Sequence, residues 1–214
     1  MQDAPPTLRL VLWPSLLTLV LSCVRLAGEV LGWLPATSGG ALHPLGIGWG
    51  MLVFGGWFGW RLARGGSAPR VARAWAWAWP LVALSTIVAT VVLMFGPLRE
   101  AAPSEANFVL LRGGVLTIAA VALAGATTMF MVWPRLAWTL LVYGLLARAT
   151  VVAITWLAKT NAWNTHYTKF GPSGFERDLE DTLVGASLAQ FGVWVPLTIV
   201  AGTLAGVCCA GRRR

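Results

Sequence analysis

The sequence predicts an all-α fold: a polytopic helical membrane protein of about six transmembrane helices, without a soluble domain. Three observations carry this reading. Charged residues make up 11% of the 214 residues and hydrophobic ones 57%, whereas a water-facing domain carries roughly 25% charged residues. The apolar residues gather into six runs, each close to or above the roughly 18 residues that let a helix cross the hydrocarbon core. The basic residues collect in short connections on one side of those runs, the usual orientation signal of an inserted helical protein.

Met1 to Thr7 is a short polar start with two prolines, and Arg9 precedes the first span, residues 10–34. That run is too long for a signal peptide and has no small-x-small cleavage site. Thr18, Ser22, Arg25, Glu29 and Gly32 are spaced 4, 3, 4 and 3, so they share one stripe of a helix. Arg25 and Glu29 are four apart and within pairing distance. The stripe belongs against other helices, because charge in hydrocarbon is expensive.

The second span, residues 45–62, contains Gly46-x-x-x-Gly50 and Gly55-x-x-x-Gly59, spacings that permit close helix contact. A broken helix lining a site is the alternative, since discontinuous spans are often glycine-rich. Arg61, Arg64, Arg70 and Arg73 follow, and then Trp75, Trp77 and Trp79, as expected of a ring anchor at headgroup level. The third span is residues 75–95. A loop with Arg99, Glu100 and Glu105 leads to the fourth, residues 108–133, with Arg112 near its start. Pro134 and Arg135 make a tight turn into the fifth, residues 136–157. A long polar loop, 159–181, precedes the sixth, residues 182–207, which holds Gln190 and Gly202-x-x-x-Gly206.

Six spans put both termini on one side. That side holds nine basic residues (Arg9, the four of the cluster that begins with Arg61 at the end of span two, Arg135 and the three terminal arginines) against four (Arg99, Lys159, Lys169, Arg177) opposite. The imbalance places the termini in the cytoplasm. Fourteen arginines against two lysines, with abundant Ala, Gly and Trp, suggest a GC-rich bacterial genome and hence an inner membrane. The net charge of +8 is then a by-product of insertion, and nucleic acid is not an expected partner. Three cysteines, with no CxxC, make neither a disulfide scaffold nor a metal knuckle.

Candidate chemistry lies in charges embedded in the spans. By the helical rise, Arg148 lies within about 3 Å of the bilayer centre, Arg25 about 5 Å outward and Arg112 about 13 Å outward. With Glu29 they form a candidate buried charged cluster. Arg112 is shallow enough to snorkel. Arg148 is not, and its partner is expected to be Glu29, a loop acid, backbone carbonyls or a bound anion. The long outer loop is the candidate cover, with His166, Tyr167, Glu176, Asp178 and Asp181, and the stretch from Phe175 to Thr182 is suited to start a helix.

No HExxH, GxSxG or Walker-type loop is present, and no span holds an acidic pair. No catalytic, cofactor-binding or metal-ligating residue is therefore assigned, and the reading leans away from an enzyme. Inverted repeats are disfavoured, because Arg25 and Arg112 occupy different places in spans one and four. The expected function is a non-catalytic membrane component, an accessory subunit or lipid-binding scaffold whose partners are the bilayer, other membrane subunits or a bound anionic lipid. The alternatives are a small anion or lipid-headgroup transporter using Arg148, and a membrane-embedded enzyme on lipid-linked substrates using His166 or the outer acids.

Overall fold

The structure, a computed structural model, describes residues 6–36, 43–96, 105–169 and 177–211. Its elements are α1 (Thr7–Val30), α2 (Gly50–Arg64), α3 (Arg73–Phe95), α4 (Glu105–Val132), α5 (Pro134–Thr160), a 3-10 turn (His166–Thr168), α6 (Leu179–Ser187), a π-helical segment (Leu188–Trp194) and α7 (Val195–Cys209). Among the described residues five helices are long and apolar enough to cross a membrane: α1, α3, Val109–Val132 of α4, α5, and the continuous run Leu179–Cys209. The chain is an all-helical protein with the build of a multi-pass membrane protein.

Local chemistry sets the boundaries. Gly32, at φ +76°, turns the chain back after α1, so the Leu34 N–H donates to the Gly28 carbonyl at 3.0 Å. Only glycine takes that backbone conformation readily. Span one therefore ends at Val30, and Gly32 lies beyond the polar stripe rather than in it. Pro134 opens α5 directly after α4, a position where its missing N–H is not needed. Asp178 caps α6, its carboxylate accepting from the Asp181 N–H at 2.7 Å.

The second passage is shorter than the span expected at residues 45–62. Helix α2 has 15 residues, about 22 Å, where a crossing needs about 30 Å. Residues 44–49 are turns: the Gly46 N–H donates to the His43 carbonyl at 2.7 Å, and the Leu45 N–H to His43 Nδ1 at 3.1 Å. Glycine at 46 and 48 weakens a helix by roughly 1 kcal/mol each, and the histidine offers the backbone a local alternative. The helix starts at Gly50, where a Cβ would lie 2.8 Å from the Tyr143 hydroxyl, near the middle of α5. Irregular backbone at that depth is tolerated only when enclosed by protein.

Helices α2, α5 and α7 form the centre. Gly55 and Gly59 of α2 meet Gly202 and Gly206 of α7 backbone to backbone, with Leu140 and Leu136 of α5 on the other side of the α7 glycines. The glycine spacing is thus a packing device. Helix α1 lies along α5, and α3 pairs with α4. Helix α3 buries only Ala76, Pro80 and Ile87, so most of its apolar surface is free for lipid. One end of the bundle carries the exposed Arg61, Arg64, Arg70, Arg73 and Arg135.

A side chain at Gly55 would collide with the Gly202 backbone, which cannot swing aside. Gly55→Ala is expected to cost about 1–3 kcal/mol or more by overpacking. Gly113, with open space where its Cβ would be, is expected to gain up to about 1 kcal/mol as alanine. Thermal unfolding of the two variants in detergent checks the pair.

Candidate functional site

Two polar centres lie inside the bundle, and they differ in how well they are satisfied. The first grows from the α1 stripe. Thr18, Ser22, Arg25 and Glu29 are all buried, as the 4-3-4 spacing requires. The Arg25 Nε–H donates to Glu29 Oε1 at 2.9 Å, and His166 Nδ1 meets the same oxygen at 2.6 Å. The His166 backbone N–H donates to Glu29 Oε2 at 2.8 Å. Both carboxylate oxygens are thus engaged.

Residues 166–169 of the long loop lie against this pair. Tyr167, also buried, donates its hydroxyl to the Ser22 carbonyl at 3.3 Å, and the Lys169 ammonium donates to the Ala36 carbonyl. His43 comes close enough for its charge to act on His166. Arg25 reaches the turns before α2: a Cβ at Gly46 would lie 3.6 Å from its Nη1. Burial, and next the positive charge of Arg25, hold the His166 imidazole well below its usual 6.5, at about 4, against the opposing pull of Glu29. The ring is therefore neutral near pH 7, donating its Nδ1–H to the carboxylate. Such a centre pins a loop to a helix.

The second centre is Arg148, near the midpoint of α5 and 6% exposed. Its Nη1 donates to Gln190 Oε1 at 3.4 Å, and its guanidinium carbon sits 4.7 Å from the centre of the Trp194 ring. Its Nε, fully buried, has no hydrogen-bond partner, and no described carboxylate lies within 4.0 Å. Charge-assisted N–H···O bonds are normally about 2.7–2.9 Å, so Gln190 is a weak partner. Guanidinium carries five donors; here one is used, at long range. Tyr143 lies within electrostatic reach, beside Thr18.

The π-helical segment supplies both of those neighbours. Pro196 has no N–H to return to residue 192, and its ring crowds that carbonyl. The turn before it widens into the i→i+5 pattern, which recurs at functional sites. That widening brings Gln190 and Trp194 to one surface facing α5.

The expected single cluster divides accordingly. Arg25 and Glu29 pair with each other and with His166, while Arg148 meets Gln190 rather than either acid. Arg112 is exposed on α4 and so is no member of a buried cluster; at the start of a span its long side chain reaches out. Asp178 and Asp181 are exposed at the start of α6, where a cap is needed, so they cover neither centre. Glu176 lies outside the described residues. Trp194 and His43 belong to the centres without having been expected there, and Pro196 is the sequence signal for the first of them. Among the described residues no group of three His, Cys, Asp or Glu side chains is arranged to hold a metal ion.

No family model, no curated protein and no solved structure matches the chain.

An imidazole with a folded pKa below its unfolded one favours the folded state only while neutral. The His166 contribution is therefore full above pH 6.5 and is lost as pH falls from 6.5 toward 4. Thermal midpoints measured across that window should fall for the native chain. For His166→Ala they should start lower at pH 7.5 and vary less.

Proposed function

We propose that the chain is a non-catalytic, multi-pass protein of a bacterial inner membrane with both termini in the cytoplasm. It acts as a lipid-binding scaffold or accessory subunit that holds an anionic group against Arg148. The supporting observation is the state of that guanidinium: 6% exposed, one 3.4 Å hydrogen bond, one buried N–H without a partner. A cation at mid-span costs roughly 2.5–3.5 kcal/mol or more, and a phosphate or similar anion offsets that through short charge-assisted bonds. The saturated Glu29 carboxylate argues against proton transfer at the other centre. The excess of basic residues at the end where α1 begins and α7 finishes supports the orientation.

A second reading has its own observation. The turns before α2 and the π-helical segment both depart from regular α-helix inside the bundle, and transporters place their sites at irregular helical segments. Arg148 would then be a station on a permeation path for a small anion or headgroup.

The test is native mass spectrometry of the detergent-purified chain, with flux assays in liposomes. Arg148→Gln should retain one anionic phospholipid fewer than the native chain; a native chain that carries none, or a variant that retains as many as the native chain, contradicts the proposal. Efflux of sulfate or phosphate that disappears in Arg148→Gln moves the assignment to transport. With anionic lipid removed, Arg148→Met should be as stable as the native chain or up to about 1–4 kcal/mol more stable, as for other buried charges replaced by apolar groups of similar size. Added anionic lipid should then raise the thermal midpoint of the native chain more than that of Arg148→Met.

A further inference from the structure

The arginine-rich end holds a cavity of about 170 Å³ where the turn after α2, the start of α3, Trp133 and the end of α7 meet. A cavity of about 150 Å³ accommodates a benzene-sized group, so this is more than a gap for one water. Its walls include Ser67, Arg73, Trp77, Trp133, Val207 and Gly211. Trp133 is fully buried and donates its indole N–H to Ser67 Oγ at 2.9 Å. The turn itself is fixed by Gly66 at φ +86°, by the Ser67 N–H on the Leu62 carbonyl at 2.9 Å, and by the Arg70 N–H on the Val132 carbonyl at 2.8 Å. The cavity therefore has a built wall and floor.

Its electrostatic setting has one sign. Arg73, the first residue of α3, contributes to the lining and is exposed, and Arg61, Arg64, Arg70 and Arg135 surround it at the same end. Among the described residues the acids Glu29, Asp178, Glu180 and Asp181, and Glu105 at the start of α4, all belong to the opposite end of the bundle. Exposed Trp60, Trp75, Trp79 and Trp138 mark the level of the membrane interface here. Orientation alone accounts for arginines near the surface; it does not require a preformed cavity with one of them in its wall.

We infer that this cavity is a site for an anionic phospholipid. The phosphate meets the Arg73 guanidinium, and the glycerol region enters between Trp77, Trp133 and Val207. The chains, too large for the cavity, lie along the exposed apolar face of α3 that continues through Leu81, Val82 and Val88. Basic pockets between transmembrane helices hold anionic headgroups by this combination of charge and shape. The site is independent of Arg148, which stands 15 residues beyond Trp133 in sequence, about 22 Å along α5.

The test uses the full chain in detergent, with phosphatidylglycerol, phosphatidylcholine and inorganic phosphate as probes, read by native mass spectrometry and thermal shift. The native chain should prefer phosphatidylglycerol at least tenfold over phosphatidylcholine. With the Arg148 site removed by Arg148→Gln, Arg73→Gln should weaken phosphatidylglycerol retention about tenfold, while Arg70→Gln, outside the cavity lining, should change it less than twofold. Ala210→Phe, or the milder Ala210→Leu, fills the cavity without altering charge and should weaken retention as Arg73→Gln does. Arg148→Gln should leave the Arg73-dependent retention as it is. Equal effects of Arg70→Gln and Arg73→Gln reveal diffuse attraction and overturn the site, as does full retention in a folded cavity-filled variant. Loss of the Arg73-dependent lipid in Arg148→Gln, or an equal thermal shift with inorganic phosphate alone, also overturns it.

Discussion

Inside a membrane bundle, a buried polar group has no water to fall back on, so each must find its partner within the protein or in something the protein binds. The two centres of this chain answer that constraint in opposite ways. At the loop-covered end, Glu29 receives Arg25, the His166 ring and the His166 backbone N–H, and the charges balance locally. At mid-depth, Arg148 receives a long bond from an uncharged amide and the face of an indole. The first centre is closed chemistry. The second has donors to spare, and the architecture around it is the part of the fold that departs most from regular helix.

Those departures have identifiable causes. Pro196 widens the turn that carries Gln190 and Trp194, and the glycines before α2 delay that helix until Gly50, beside Tyr143. Meanwhile the glycine-to-glycine seam between α2 and α7, backed by Leu136 and Leu140, draws the backbones together one turn and two turns toward the arginine-rich end. Tight glycine packing thus lies on one side of Arg148 and irregular backbone on the other.

Much of this was legible in the amino-acid string. Helical spacing put Thr18, Ser22, Arg25 and Glu29 on one buried face, because a period of 3.6 leaves them no other arrangement. The apolar runs coincide with five helices long and apolar enough to cross a membrane, since lipid tolerates few interruptions. The long loop's hold on Arg25 and Glu29 through His166 and Tyr167 followed from its being the only polar segment of sufficient length. Three things were not legible. The start of α2 depends on turns satisfied by His43 and enclosed by neighbours, which periodicity does not register. The register of the sixth crossing depends on one proline acting on the preceding turn. The separation of Arg148 from Glu29 depends on which way each helix is rotated, and in apolar helices with polar residues this sparse, rotation is set by packing.

The proposed function places an anion from outside the chain against the buried Arg148 guanidinium. A density map of the protein purified in its native lipid tests this directly. The expected result is a headgroup-shaped or ion-shaped density within about 3 Å of the Arg148 nitrogens, present in the native protein and missing in Arg148→Gln. A map with side chains packed closely around that guanidinium, and Gln190 as its sole partner, would contradict it.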